Sequence, residues 1–116
     1  MQVAHYPGSG AGYVRHCDNH CHEGAGSDCN GRRVTAIVYL NERWREADGG
    51  ELLLYHPPPK HDDQWCRIAP RAGTAILFWS DYRVPHEACL CVFMCYCCCW
   101  LHTICLCDAS PLLFFF

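Results

Sequence analysis

The sequence has little positive charge, and none of it lies near the carboxyl end. Its 116 residues include nine Lys and Arg against twelve Asp and Glu, which gives a net charge of −3. No Lys or Arg follows Arg83, and residues 88–107 contain no charged side chain. Such a sequence offers no broad basic surface for phosphates, which argues against a nucleic-acid-binding protein. The length predicts one small domain.

The amino terminus lacks the features of a secretory signal. Residues 1–8 (MQVAHYPG) contain neither a basic start nor an apolar segment. The chain nevertheless has twelve cysteines, eight of them between Cys89 and Cys107. An even number of cysteines in a small chain is compatible with a disulfide scaffold, but a scaffold requires an oxidising compartment. We therefore expect an intracellular protein, in the cytoplasm or the nucleus, without a disulfide framework.

Residues 1–87 consist of short β-prone segments separated by turn residues. Such a pattern favours an all-β sandwich, jelly roll or barrel over an α/β fold. Residues 20–31 are predicted to form a loop, 42–48 a charged connection with one helical turn, and 80–85 a turn. The predicted strands are Gln2–Tyr6, Tyr13–His16, Arg33–Leu40, Gly50–His56, Trp65–Ala69 and Thr74–Trp79.

Residues 88–116 differ in composition from the rest of the chain. Cysteine dominates this segment, and it ends in LLFFF. Twenty uncharged residues just reach the length of a membrane-spanning helix, but Leu and Ile are few and His102 interrupts the run. The segment is also compatible with a real soluble extension. We favour a third interpretation, in which a retained intron or a shifted reading frame has produced an aberrant tail.

The most informative short motif is His16-Cys17-Asp18. Alternate residues of a strand share one face, so the imidazole and the carboxylate can coordinate a metal ion from the same side. A distant histidine, such as His86, would complete a two-histidine, one-carboxylate triad, which leaves coordination positions open and suits non-haem Fe(II) oxygenases. The spacing alone favours the simpler interpretation, in which His16 and Asp18 are two polar surface residues.

A longer series of motifs surrounds this triad. In order, residues 6–19 (YPGSGAGYVRHCDN), 34–44 (VTAIVYLNERW), 49–52 (GGEL) and 77–87 (LFWSDYRVPHE) resemble the 2-oxoglutarate/Fe(II)-dependent prolyl 4-hydroxylases, and most closely the hypoxia-inducible-factor type. The resemblance covers nearly all of residues 1–87 and stops at residue 88. It implies a double-stranded β-helix (jelly-roll) core that is incomplete at the carboxyl end. We therefore predict a partial dioxygenase domain over 1–87 and a separate tail over 88–116.

The resemblance also implies a reaction and a set of site residues. The family hydroxylates prolyl residues of a protein or peptide, with 2-oxoglutarate and O₂ as co-substrates and ascorbate to keep the iron reduced. By resemblance, Fe(II) would be bound by His16, Asp18 and His86. The 2-oxoglutarate site would include Tyr6, Tyr39 and Leu52, and Arg32 would lie on the side of the protein substrate.

One departure from the family pattern lies in the tail. The family binds the distal carboxylate of 2-oxoglutarate with an arginine shortly after the second metal histidine, and the counted position here is Cys95. A neutral thiol cannot form a bidentate guanidinium–carboxylate pair. We therefore expect impaired activity, and we expect the last strands of the jelly roll to be lost.

Two functions without catalysis are the alternatives. Cysteine-rich and histidine-rich loops bind soft metals, although no paired Cys-x2-Cys spacing occurs here. A small zinc-binding module would use the loop residues Cys17, His20, Cys21, His22 and Cys29. A small membrane-anchored protein would use residues 88–107 as its span.

Overall fold

The computed structural model describes residues 2–20, 31–57, 59, 63–93, 95–102 and 114–115. Strands form almost all of the regular structure there, with a single 3₁₀ turn at Glu46–Asp48. This result confirms the predicted all-β class. The strands are β1 (Gln2–Tyr6), β2 (Ala11–His16), β3 (Val34–Tyr39), β4 (Leu52–Tyr55), β5 (Gln64–Ile68), β6 (Ala75–Trp79), β7 (His86–Cys91), β8 (Cys95–His102) and β9 (Phe114–Phe115).

The strands form two antiparallel sheets. The major sheet has the order β1-β8-β3-β6-β9, and the minor sheet has the order β2-β7-β4-β5. Apart from the β4–β5 hairpin, consecutive strands from β1 to β8 lie in different sheets, so the chain crosses from one layer to the other at nearly every turn. This winding produces the two-layered jelly roll that the sequence predicts.

The apolar core lies between the two sheets. Inward-facing residues alternate along β3, where Ile37 and Tyr39 are buried, and along β6, where Ile76 and Phe78 are almost completely buried. Leu54 of the minor sheet belongs to the same buried cluster. Because successive side chains of a strand point to opposite faces, each sheet has an apolar face. Burial of these two faces against each other stabilises the packing of the layers.

The six predicted strands correspond closely to β1–β6, with ends that shift by one or two residues, whereas β7, β8 and β9 were not predicted. Most of the predicted loop, residues 21–30, lies outside the described residues. The charged connection contains the expected short turn at Glu46–Asp48. Local patterns of β-branched and aromatic residues, bounded by Gly and Pro, were sufficient to locate these elements.

The carboxyl-terminal region corrects one expectation. The last strands are not lost: β7 runs to Cys91, and β8 lies in the middle of the major sheet between β1 and β3. The aberrant origin of residues 88–116 and the domain boundary at residue 87 stay predictions. Within the described parts of the chain, no helix has the length and apolar character required to cross a membrane.

A close backbone contact beside β7 gives a first prediction. Gly49 has a φ of +70°, and a Cβ atom there would overlap the carbonyl oxygen of Leu90. Gly73 has a similar φ of +84°, but a Cβ atom would meet nothing within 4 Å. We expect Gly49→Ala to lower the free energy of unfolding by about 2–5 kcal/mol, from backbone strain plus overlap. Urea unfolding measures this loss.

Gly73→Ala is the matched control for that substitution. It introduces the same backbone strain without the steric overlap, so we expect a loss of about 1–2 kcal/mol. Equal losses in the two variants would contradict the close approach of residue 49 to β7.

Candidate metal centre

Two neighbouring strands bring the three predicted metal ligands together. His16 ends β2 and His86 begins β7, and the two residues are direct partners in the antiparallel ladder. Asp18 follows two residues after His16. The ligand atoms of these three side chains all lie within 4.8 Å of one another. A pairing between residues 70 positions apart thus completes the short motif.

Backbone and side-chain hydrogen bonds fix the loop that carries Asp18. The backbone N–H of Asn19 donates to the carbonyl of Ser80 at 2.9 Å, and the Asn19 side-chain amide donates to the carbonyl of Arg32 at 2.6 Å. Asn19 is only 2% exposed. These two bonds therefore tie the residue after Asp18 to the residue that follows β6 and to the segment that precedes β3.

Backbone carbonyls orient both imidazole rings. Nδ1 of His16 lies 2.8 Å from the carbonyl oxygen of Val14, and Nδ1 of His86 lies 3.2 Å from that of Val84. A carbonyl oxygen can only accept, so Nδ1 carries the proton in both rings. In the neutral form of each ring, the other nitrogen, Nε2, then has a free lone pair, and it is Nε2 that faces Asp18. Each ring is thus held in the tautomer that binds a metal.

The carboxylate of Asp18 is held in its ionised form. Its Oδ1 lies 3.5 Å from Nε2 of His16 and 3.9 Å from Nε2 of His86, while Oδ2 accepts a hydrogen bond from Thr35. Burial disfavours the charged carboxylate, but the hydrogen bonds and the two histidines outweigh burial and lower the pKa to about 2. Asp18 therefore offers an anionic oxygen at neutral pH.

The two histidines differ in their environments. Burial lowers the pKa of His86, against the opposing effect of Asp18, so its ring is held neutral. Burial also disfavours the charged form of His16, but the hydrogen bond and the charge of Asp18 outweigh this effect and raise its pKa. A cation that binds here would have to displace any proton on His16, so binding weakens as the pH falls.

The triad lies in one wall of a cavity of about 340 Å³ between the sheets. Three further predicted residues, Tyr6, Leu52 and Arg32, line the same cavity. Tyr39 does not belong to its lining; it is 4% exposed and packs in the core cluster, on the same face of β3 as Ile37. The structure thus brings together six of the seven predicted site residues and places Tyr39 beside them in the core.

Several residues at the site were missed by the sequence reasoning. Thr35 lines the cavity and donates to Asp18, and Ser80 lies behind it. Tyr13 and Ile37 complete part of the wall. Thr35 and Ile37 lie within the motif at residues 34–44 and have the alternation expected for one face of β3, which is the signal that could have identified them.

The donor set fits Fe(II). Two neutral imidazole nitrogens and one carboxylate oxygen converge, and the adjoining cavity leaves space for further ligands, which is the arrangement of non-haem Fe(II) oxygenases. In the parts of the chain that the structure describes, this is the one group of three or more metal-binding side chains. Of the alternative zinc module, Cys21, His22 and Cys29 lie outside the described residues.

The jelly roll and the triad together define a class of protein, and sequence comparison identifies it. The sequence model of the 2OG-Fe(II) oxygenase superfamily matches residues 1–102, and the chain belongs to this superfamily. This assignment confirms the predicted family.

More specific similarities are to prolyl hydroxylases. The chain is 44% identical over 85 residues to Egl nine homolog 1 of Rattus norvegicus, and 44% identical over 86 residues to the hypoxia-inducible factor prolyl hydroxylase of Caenorhabditis elegans. Each match covers 73% of this chain, but only 22% and 10% of those relatives. A prolyl hydroxylase from Trichoplax adhaerens, solved with a peptide fragment of the hypoxia inducible factor oxygen degradation domain, superposes with a TM-score of 0.70 at 40% identity. That match covers 85% of this chain and 41% of the solved one.

Proposed function

We propose that the chain carries the catalytic centre of an Fe(II)- and 2-oxoglutarate-dependent dioxygenase that hydroxylates prolyl residues of a protein substrate. The observation that carries this proposal is the convergence of His16, Asp18 and His86 beside a cavity, in a chain 44% identical to prolyl hydroxylases. The likeness to a solved structure that contains a peptide supports a proline-containing protein or peptide as the substrate.

Each residue of the triad would have a defined task. Nε2 of His16, Nε2 of His86 and Oδ1 of Asp18 would hold Fe(II), while the carbonyls of Val14 and Val84 keep the two rings in the metal-binding tautomer. When bound there, Fe(II) supplies the oxidative decarboxylation of 2-oxoglutarate with O₂, coupled to hydroxylation of a prolyl C–H bond. The protein contributes binding, orientation and electrostatics to that chemistry.

The cavity walls would control access to the metal. Leu52, Ile37 and Ala88 give the cavity an apolar wall, which limits competing water. Tyr6 would lie beside the co-substrate, and the hydroxyl of Tyr39 would help to bind its distal carboxylate. The guanidinium of Arg32 lies 3.9 Å from Oδ1 of Asp18, and we place it on the side of the protein substrate.

Two further features belong to the same proposal. Ascorbate would maintain the iron in its reduced state between turnovers. The protein would act inside the cell, in the cytoplasm or the nucleus, because a prolyl hydroxylase with free cysteines such as Cys17 and Cys66 suits a reducing compartment.

Anaerobic titration of the full chain with Fe(II) and 2-oxoglutarate tests the proposal. We expect a visible metal-to-ligand charge-transfer band, because both substances would share one site. Admission of O₂ with a prolyl peptide should then release succinate and add one oxygen atom to the peptide, as measured by mass spectrometry. Tight stoichiometric zinc that resists mild chelation, with no such band, would instead favour the zinc module.

A further inference from the structure

A chain of buried hydroxyl groups lies behind the carboxylate of Asp18. Oγ1 of Thr35 donates to Oδ2 of Asp18 and lies 2.8 Å from Oγ of Ser80. Thr35 is 2% exposed and Ser80 is fully buried. We propose that Thr35 and Ser80 are positioning residues, which hold the Asp18 carboxylate by Oδ2 so that Oδ1 faces the metal. This inference rests on the proposed metal site.

The hydrogen bonds that link Ser80, Thr35 and Asp18 can run in only one direction. An ionised carboxylate can only accept, so the single hydroxyl hydrogen of Thr35 points to Asp18. The oxygen of Thr35 is then an acceptor, and the hydrogen in its bond to Ser80 must come from Ser80. The order is therefore Ser80 to Thr35 to Asp18. In a buried site, such consecutive bonds reinforce one another.

This hydrogen-bond chain also joins the two sheets at the site. Asp18 belongs to the loop after β2, in the minor sheet, whereas Thr35 lies on β3 and Ser80 directly follows β6, both in the major sheet. The bond from the Asn19 backbone to Ser80 runs beside it. The position of the carboxylate is thus set by the major sheet, and the two histidines are set by the β2–β7 pairing.

Without the Thr35 hydroxyl, the carboxylate would lose a hydrogen bond that holds Oδ2. Oδ1 already lies near three basic groups, those of His16, His86 and Arg32. With the bond from Thr35 removed, the group could rotate more readily about its Cβ–Cγ bond toward these partners. Loss of a partner that orients a metal ligand typically weakens metal binding by about 10–100-fold.

The Thr35→Val variant tests the inference, because valine keeps the branched shape and removes the hydroxyl. The full chain is titrated anaerobically with Co(II) alone, and both the dissociation constant and the visible d–d spectrum are measured. We expect Co(II) to bind about 10–100-fold more weakly, with an altered spectrum. Thr35→Ser should restore both readouts, because it returns the hydroxyl.

Two further variants keep the test decisive. Thr74→Val makes the same exchange at the residue just before β6, outside the cavity lining, and should bind Co(II) as the wild type does. Ser80→Ala removes the donor behind Thr35 and should change the spectrum in the same direction to a smaller extent; it carries the test if Thr35→Val does not fold, as judged by circular dichroism.

The outcomes separate this inference from the function on which it rests. Wild-type affinity and spectrum in Thr35→Val, or in Ser80→Ala where Thr35→Val does not fold, would overturn the positioning role and leave the metal site standing. Failure of the wild-type chain to bind Co(II) would overturn the proposed metal site, and the positioning role with it.

Discussion

The His16→Ala variant is expected to bind Fe(II) on the order of 100-fold more weakly than the wild type, or worse, and to lose the charge-transfer band with 2-oxoglutarate. Removal of a direct ligand should exceed the 10–100-fold loss that follows removal of a residue behind a ligand. Two ligands from His86 and Asp18 would remain, too few to hold the ion against water. His16 is half-buried at the end of β2, so truncation there should leave the core intact.

His56→Ala is the matched control. His56 is an exposed histidine just after β4 and lies outside the triad. The His56→Ala variant should bind Fe(II) and form the charge-transfer band as the wild type does. Anaerobic titration followed by visible absorption measures both variants. An unchanged band in His16→Ala would contradict the assignment of the metal centre.

The Cys95→Arg variant is expected to bind 2-oxoglutarate more tightly by about two to four decades. A charged hydrogen bond contributes about 1.5–3 kcal/mol, and breaking a buried ion pair costs about 3–5 kcal/mol, where each 1.4 kcal/mol is tenfold in affinity. Cys95 begins β8, and its direct partner in the sheet is Tyr6, a residue of the cavity wall. The backbone register thus places the counted position directly opposite a residue of the cavity wall.

Cys98→Arg controls for added charge. Its partner in the same ladder is Val3, which is 59% exposed and outside the cavity lining. Titration of 2-oxoglutarate into the Fe(II)-loaded variants measures the effect of each arginine. Equal gains in Cys95→Arg and Cys98→Arg would show that general charge, rather than a specific carboxylate contact, is responsible. The absence of any gain in Cys95→Arg would contradict the predicted role of position 95.

The position of β8 within the major sheet bears on the replacement of the family's arginine by Cys95. The expected loss of the last strands would have removed the framework of the co-substrate site together with its arginine. Instead, β8 pairs with β1 over residues 95–99 and with β3 over residues 97–102. The backbone framework at position 95 is therefore present, and one substitution can introduce the expected arginine there. This is why a substitution, rather than a replaced segment, tests the defect.

The sequence by itself determined most of the strands and the local half of the metal motif. Segments such as 34–39 and 75–79 are rich in β-branched and aromatic residues, and their alternation is a property of neighbouring positions. The relation between His16 and Asp18 is equally local, because a spacing of two places both on one face of an extended chain. Ordered motifs over residues 6–87 then indicated His86 as the third ligand.

Sequence reasoning failed where position depends on partners far along the chain. The segment at 95–102 has no alternating pattern and was interpreted as part of a tail, but main-chain hydrogen bonds to β1 and β3 require no such pattern. Tyr39 was predicted at the co-substrate site from a motif, and that role stays a prediction; the structure places this residue in the core cluster beside the cavity. Propensity describes a segment alone, whereas pairing and burial are properties of the assembled sheets.

The tertiary structure alone decided how the site is held together. The ladder between β2 and β7 sets His16 opposite His86, and the carbonyls of Val14 and Val84 select the tautomer of each ring. The hydroxyl chain from Ser80 through Thr35 to Asp18 joins residues that are 45 and 17 positions apart. No local pattern encodes such contacts, because they form only when two sheets pack and buried polar groups must find partners. The sequence thus determined which residue types serve as metal ligands, and the tertiary structure determined how these side chains are oriented.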